Sequence, residues 1–423
     1  MVRTSTASLL GMVVGGMVLF GSISADAATP EPLWAWGLGG YGELGVGTTS
    51  DSTLPVQTQI PNGVTFTQLS GGCVDVLALD TDGAAWAWGN DGNYVLGTPP
   101  LSKETVPQRV DMPHGVTFTA VAGSCAASFA LDSQGRAWSW GNDNGVGELG
   151  DGALTGTSAT PRLVHMPSGV AFTAIAAGCY YALALDSSGQ VWAWGDGASA
   201  ELGDGSISAS DVPVRVSLPS GVSITQIAGG CGNGLAVDSN GDVWDWGDGS
   251  QGDLGNGTTT MSTTPVRVQL PSGVRAKWVG GGLANSFALD TSGRPWIWGS
   301  SNFRVFFSSA STTTPIRMSA PAGLSFTQII GGHSGCGVAC EFAVALDSNG
   351  HVWAWGTARQ LGAGATTDTN GSPVSVRVPQ SVAFTQVATT QDAACAIAAP
   401  AAAAGPSTLA TSLPTPLQPF GSA

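Results

Sequence analysis

Lysine is almost missing from this chain: only Lys103 and Lys277 occur in 423 residues, and charged residues make up just 10%. The 14 cationic residues, the rest of them scattered arginines, face 29 acidic ones, for a formal net charge of −15. Sequence-independent binding of DNA or RNA needs Lys and Arg clustered toward phosphates, so that class of function is excluded. An acidic surface instead favours solubility and can steer a basic partner. Histidine is equally scarce, with His114, His165, His333 and His351 far apart along the chain. No His-x-x-x-His or Cys-x-x-Cys spacing occurs, so the usual local metal signatures are absent and neither metal nor cofactor is expected. Segments with helical period are missing too.

Long apolar runs are absent apart from one, Leu9 to Ile23, which follows Arg3 and precedes Ala25-Asp26-Ala27. That run is short for a membrane span and has the flanks of a cleaved secretory peptide. The expectation is removal of residues 1–27, a mature start near Ala28, and a secreted or cell-envelope protein without a stable membrane span. Glycine (62) and proline (24) are abundant, which suits many short strands joined by tight turns.

The strongest signal is repetition. Trp-x-Trp-Gly begins at Trp34, Trp86, Trp138, Trp192, Trp244, Trp296 and Trp353, and these motifs hold fourteen of the fifteen tryptophans. Self-similarity at intervals of 52 to 57 residues indicates a solenoid or propeller. A Gly-rich turn ending in Leu-Gly follows most motifs, as in Glu43-Leu44-Gly45 and Glu201-Leu202-Gly203. A Pro-led stretch comes next (Pro213 to Val216), then an alternating strand such as Val64 to Leu69. Leu-Asp-x-x-Gly then leads into the next motif, with Asp80 to Gly83, Asp186 to Gly189 and Asp238 to Gly241 fitting tight hairpin loops. Four strands per repeat result. In Trp-x-Trp both indoles share one strand face, and radially stacked sheets would bury them.

The two ends complement each other. Trp34 has no Phe-Thr-Gln strand before it, whereas Val382 to Val387 and Cys395 to Ile397 have no Trp motif after them. One blade is therefore expected to be shared between the termini, which removes open sheet edges. The reading is an all-β, seven-bladed β-propeller over residues 28–399, with an Ala/Pro/Ser-rich flexible tail over 400–423.

Trp-x-Trp-Gly, the Gly-x-Leu-Gly turn and the Gly-Gly…Ala-Leu-x-x-x-Gly segment resemble the repeats of the regulator of chromosome condensation family, over residues 33 to about 398. The resemblance implies a seven-bladed propeller closed by strands from both ends. The eukaryotic founder of that family exchanges guanine nucleotide on a nuclear GTPase and touches chromatin. A secreted bacterial inhibitor of β-lactamases shares the propeller and binds enzymes with one face, which is the type of function that an exported, acidic chain matches.

Departures from the repeat are where recognition is sought, because loops on a rigid scaffold carry it. Phe303, Arg304, Phe306 and Phe307 replace the Leu-Gly turn after Trp298; His333 to Glu341 is inserted at a Gly-Gly position; Tyr180 and Tyr181 adjoin Cys179. Aromatics with Arg are typical interface anchors. Cys73, Cys125, Cys179, Cys231 and Cys340 each precede a Leu-Asp aspartate by seven residues, and so occupy equivalent positions that pairing or simple burial would explain alike. Cys336 and Cys340, together in the insertion, suit a local bridge. Gly332 to Cys336 only faintly resembles a nucleophile elbow. The Asp/Gly loop Gly247 to Asp253 is a turn before it is a calcium site. The expected function is binding of an unknown protein, or a cell-envelope glycan, by a monomeric non-enzyme. A propeller hydrolase or lyase working at the channel mouth is the alternative, with nucleotide exchange behind it.

Overall fold

The computed structural model describes residues 32–98, 103–300, 311–332, 342–365, 367–369, 371–379 and 382–399. Seven four-stranded antiparallel sheets form the blades of a propeller. Blades 1 to 6 begin at Phe66, Phe118, Phe172, Ile224, Ala276 and Phe326. Blade 7 takes its two inner strands, Phe384–Thr389 and Ala393–Ala398, from the C-terminal end and its outer strands, Leu33–Gly37 and Ser52–Gln57, from the N-terminal end. The expected closure is present, with Leu33 opposite Ile397 and Gly37 opposite Ala393.

Each tryptophan of the repeat has its own task. The second indole of every motif (Trp36, Trp88, Trp140, Trp194, Trp246, Trp298, Trp355) is fully buried. Trp88 packs with Leu44, Ala393 and Cys395 of blade 7, so the core lies between blades. Its Nε1 donates to the Glu43 carbonyl at 2.8 Å, and Trp140, Trp194, Trp246 and Trp36 repeat this bond to Val95, Glu148, Glu201 and Gln360. The Leu-Gly glycine makes room for the contact: at Gly203, φ is +61° and a Cβ would lie 2.6 Å from Trp246. Trp298 differs, donating to the Asp245 carboxylate at 3.3 Å.

The first indole closes its own hairpin. Asp80 accepts from the Asp82 and Ala84 amides with Oδ1 and from Trp86 Nε1 with Oδ2 at 2.8 Å. Asp132, Asp186, Asp238, Asp290 and Asp347 do the same for Trp138, Trp192, Trp244, Trp296 and Trp353. Blade 7 has no covalent turn here, and Ala398 stands where the aspartate would be. The Trp34 indole N–H finds no acceptor among the described residues. Shared closure costs the blade this bond.

Innermost strands line a central cavity of about 220 Å³. Gln68 bonds both N and O of Val121 in the next blade; Gln226 does so with Val279, and Gln386 with Leu69. In blade 5 Trp278 takes the glutamine position and donates to the Ile329 carbonyl at 3.2 Å. The cavity wall is therefore amide, hydroxyl and apolar.

Candidate functional site

Strand direction divides the loops between two faces. The links from first to second and from third to fourth strand open on one face, and the Asp-x-x-Gly turns open on the other. The first face carries Cys73, Cys125, Cys179, Cys231, Tyr180 and the turns that end in Leu-Gly. Strands ending at Gly299, Thr312, Gly331 and Phe342 reach it too. Phe303, Arg304, Phe306, Phe307, His333, Glu341, Cys336 and Cys340 themselves lie outside the described residues.

Blade closure brings the spaced cysteines together. Cys73 is bridged to Cys125 and Cys179 to Cys231, with Cα separations of 4.5 and 4.6 Å and 52 residues between partners in each case. Pairing, not simple burial, explains these four positions. Backbone bonds continue the ring where disulfides stop: Gln391 N donates to Cys73 O at 2.8 Å, Cys125 N to Cys179 O at 3.0 Å, and Cys231 N to Gly282 O at 3.0 Å. Covalent and hydrogen-bonded steps thus alternate from blade 7 to blade 5. Cys395 is a free thiol buried between blades, and burial pushes it up to about 12, so it is inert.

The tyrosine pair separates into two roles. Tyr180 is 43% exposed beside the Cys179–Cys231 bridge. Tyr181, expected to contact ligand, is fully buried, and its hydroxyl donates to the carbonyls of Gly230 and Asn233 in the next blade. The strand Tyr181–Asp186 is buried throughout and Tyr180 lies in the bend just before it, so only Tyr180 faces solvent.

Sequence reasoning missed the electrostatics of this face. Glu43, Glu148, Glu201 and Asp253, each directly before Leu-Gly, are buried. Desolvation raises Glu43, Glu201 and Asp253 to about 7, against backbone amides that bond their carboxylates. The amides are those of Tyr41 for Glu43 and Ser199 for Glu201. Glu148 is likewise raised by burial and meets the Ser124 hydroxyl. Asp245, bonded by Asn233 and Trp298, is likewise pushed up by burial. Asp75 is buried with neither carboxylate oxygen partnered among the described residues, and Asp91 and Glu43 nearby add to its upward shift. The recurrence of an acid before Leu-Gly was visible, but nothing in one sequence distinguishes a buried acid from a solvated turn residue. The loop at Gly247 to Asp253 behaves as turn chemistry: Asp248 Oδ1 accepts from the Ser250 amide at 2.9 Å.

What the face can offer chemically is a cross-linked rim with an exposed aromatic above buried acids whose carboxyls are raised by desolvation. Known proteins agree with this architecture. The mitochondrial RCC1 domain-containing protein RUG3 of Arabidopsis thaliana is 31% identical over 272 residues, covering 63% of this chain and 61% of that protein. The ultraviolet-B receptor UVR8 of the same plant is 27% identical over 342 residues, covering 79% and 76%. Among solved structures, Prp20p of Saccharomyces cerevisiae, described with its binding properties to Gsp1p and histones, superposes with a TM-score of 0.75 at 22% identity, covering 87% of this chain and 91% of that one. Human WBSCR16 superposes with a TM-score of 0.76 at 19% identity, covering 87% and 100%. The family model for the RCC1-like domain matches residues 32–396. With seven blades, the interlocking tryptophans and the shared closing sheet all in place, this chain belongs to the RCC1-like domain family.

Proposed function

We propose that this chain is an exported binding propeller that recognises a protein ligand through the cysteine-bearing loop face. The observation that carries this reading is Tyr180: an exposed aromatic adjoining a disulfide that ties blades 3 and 4, and so pre-ordered before any partner arrives. The net charge of −15 favours a basic partner surface. Disulfides between blades suit an oxidising compartment, as does the leader-like segment over residues 1–27. Residues 28–399 would then be the propeller and 400–423 a tail, in a secreted bacterial type of the family. No helix among the described residues is long and apolar enough to cross a membrane. The relatives supply the precedent of regulation and binding, which we extend here to an extracytoplasmic ligand. The site works by rigid-body docking: the rim is fixed, the aromatic buries on contact, and the net negative charge of the chain speeds encounter with a basic partner.

The test is paired capture. Immobilised residues 28–423 and the Tyr180→Ala variant are incubated with secreted and envelope fractions at low and high salt. A protein retained by the first, weakened by salt and lost by the variant at unchanged melting temperature supports the reading. Retention that ignores the variant contradicts it. A retained polysaccharide points to the glycan alternative, and turnover of a captured substrate to a propeller enzyme.

A further inference from the structure

The inner-strand glutamines close the free edge of the next blade. A carboxamide presents an acceptor oxygen and N–H donors side by side. Gln68 uses both, accepting from Val121 N at 3.0 Å and donating to Val121 O at 3.4 Å. Gln226 and Gln386 repeat this on Val279 and Leu69, and Gln328 accepts from Val387 N at 3.1 Å. Two residues on from Gln68, the Ser70 hydroxyl accepts from Gly123 N at 3.0 Å. Blade 2 has neither device, because Ala120 and Ala122 stand at the positions of Gln68 and Ser70. The strand they face, Phe172–Ala177, keeps the register of the strand before it: Ile175 lies opposite Ala184 as Val121 lies opposite Ala130. The Ile175 N–H and carbonyl and the Ala177 N–H therefore turn to the cavity, and among the described residues no side chain bonds them. Burial marks the same spot. Leu69, Val121, Ile227, Val279, Ile329 and Val387 are buried at this strand position, and Ile175 alone is part-exposed. Peptide groups left bare in a cavity are a standing demand for a partner, and the glutamines show which chemistry meets it.

We propose that this notch in the central cavity binds a small neutral molecule through a primary carboxamide. The ligand carbonyl accepts from Ile175 N–H and its NH2 group donates to the Ile175 carbonyl, the bond pair that Gln68 makes to Val121. Its neutrality follows from the wall. None of the described residues around the cavity carries a charged side chain. A carboxylate would enter without a counter-charge and bring no donor for the Ile175 carbonyl. Its size follows from the volume, about 220 Å³ against the roughly 300–1,000 Å³ of sites for drug-sized ligands. Ile175 and Trp278 give the cavity apolar and aromatic surface for the rest of the molecule. Thr119 and Thr173, just before the notch on their strands, are exposed, so the path from solvent lies at the Asp-x-x-Gly face, opposite Tyr180. This inference does not depend on the proposed protein ligand or on export.

The probe is benzamide, titrated against the full chain by ligand-observed NMR. Benzoate and N,N-dimethylbenzamide keep the ring and lose the amide N–H donors. We expect one benzamide per chain with a dissociation constant of about 1 mM or tighter, within reach of so small a ligand. Both analogues should bind at least about tenfold more weakly, because each leaves the Ile175 carbonyl covered and unpaired. Ala120→Gln should set the missing carboxamide on Ile175, weakening benzamide by a similar factor without lowering the melting temperature. Tyr180→Ala, on the other face, should bind benzamide as wild type does. No benzamide binding overturns the proposal, as do equal affinity for either analogue, binding unchanged in Ala120→Gln, binding lost only in Tyr180→Ala, or a lowered melting temperature in Ala120→Gln, which would mean that the notch has no room for a carboxamide.

Discussion

Raising pH from 5.5 to 8 should destabilise this protein, against the habit of acidic proteins to fail in acid. Glu43, Glu201 and Asp253 have ordinary values of 4.5, 4.5 and 3.8 and are lifted by burial to about 7. A carboxyl whose folded value is raised holds its proton more tightly in the folded state than in the unfolded one. Its contribution is complete below the unfolded value and is lost as pH climbs through the folded value. Each such group gives a slope of about 1.4 kcal/mol per pH unit across that window, so three together give roughly 4 kcal/mol per unit. Asp75, Glu148 and Asp245, shifted upward by burial, act in the same direction. At Asp132, Asp186 and Asp347 burial pushes upward, but bonds from the tryptophans and turn amides outweigh it and hold the carboxyls low. Those groups lose stabilisation only below pH ~4, outside this window. The assay is urea unfolding at half-unit pH steps with wild type and Glu201→Gln. The glutamine keeps an oxygen for the Ser199 amide and no charge to bury, so the variant should be more stable than wild type at pH 8 by about 3 kcal/mol and show a shallower slope. A stability that is flat or rises between pH 5.5 and 7, or an unchanged slope in Glu201→Gln, would refute the argument.

Three further outcomes follow from the fold. Asp186→Ala strips acceptors from the Ser188 and Gln190 amides and from Trp192 Nε1; chemical denaturation should show a loss of about 3 kcal/mol, as charged hydrogen-bond networks do. Gly203→Ala combines a φ of +61° with a Cβ 2.6 Å from Trp246, whereas Gly221 has a φ of +84° and open space. Melting curves should therefore place Gly203→Ala well below Gly221→Ala, the latter costing only the roughly 1 kcal/mol of left-handed strain. Deleting residues 400–423 should leave the melting temperature in place, while deleting from Val382 removes both inner strands of blade 7 and should give insoluble or far less stable protein; equal melting of the two would contradict the shared blade.

Much of this architecture was legible because propellers write their geometry into spacing. Trp-x-Trp-Gly marks the third strand, Asp-x-x-Gly its hairpin, and the unmatched ends of the chain marked blade 7. What one sequence does not contain is contact across blades. Cys73 and Cys125 are 52 residues apart and Cys125 and Cys179 are 54, too alike for spacing alone to assign either pair. Ring closure brings all three sulfurs within 4.8 Å of one another, and the disulfides choose Cys73–Cys125 and Cys179–Cys231. Burial of the acids before Leu-Gly was equally hidden, since Glu201 reads as a turn residue until blade 4 packs Trp246 against its carbonyl. Tyr180 and Tyr181 looked alike as ligand contacts, but the buried strand starts at Tyr181 and only Tyr180, in the bend before it, reaches solvent.

The central functional claim is that the cysteine-bearing face is the binding face. Hydrogen–deuterium exchange of the propeller with and without its captured protein partner tests it most directly. The account predicts slowed exchange at residues 72–75, 124–127, 178–181 and 230–233, with the Asp-x-x-Gly turns at 80–83, 132–135, 186–189 and 238–241 unchanged. Protection confined to those turns would place the ligand on the opposite face and contradict the account.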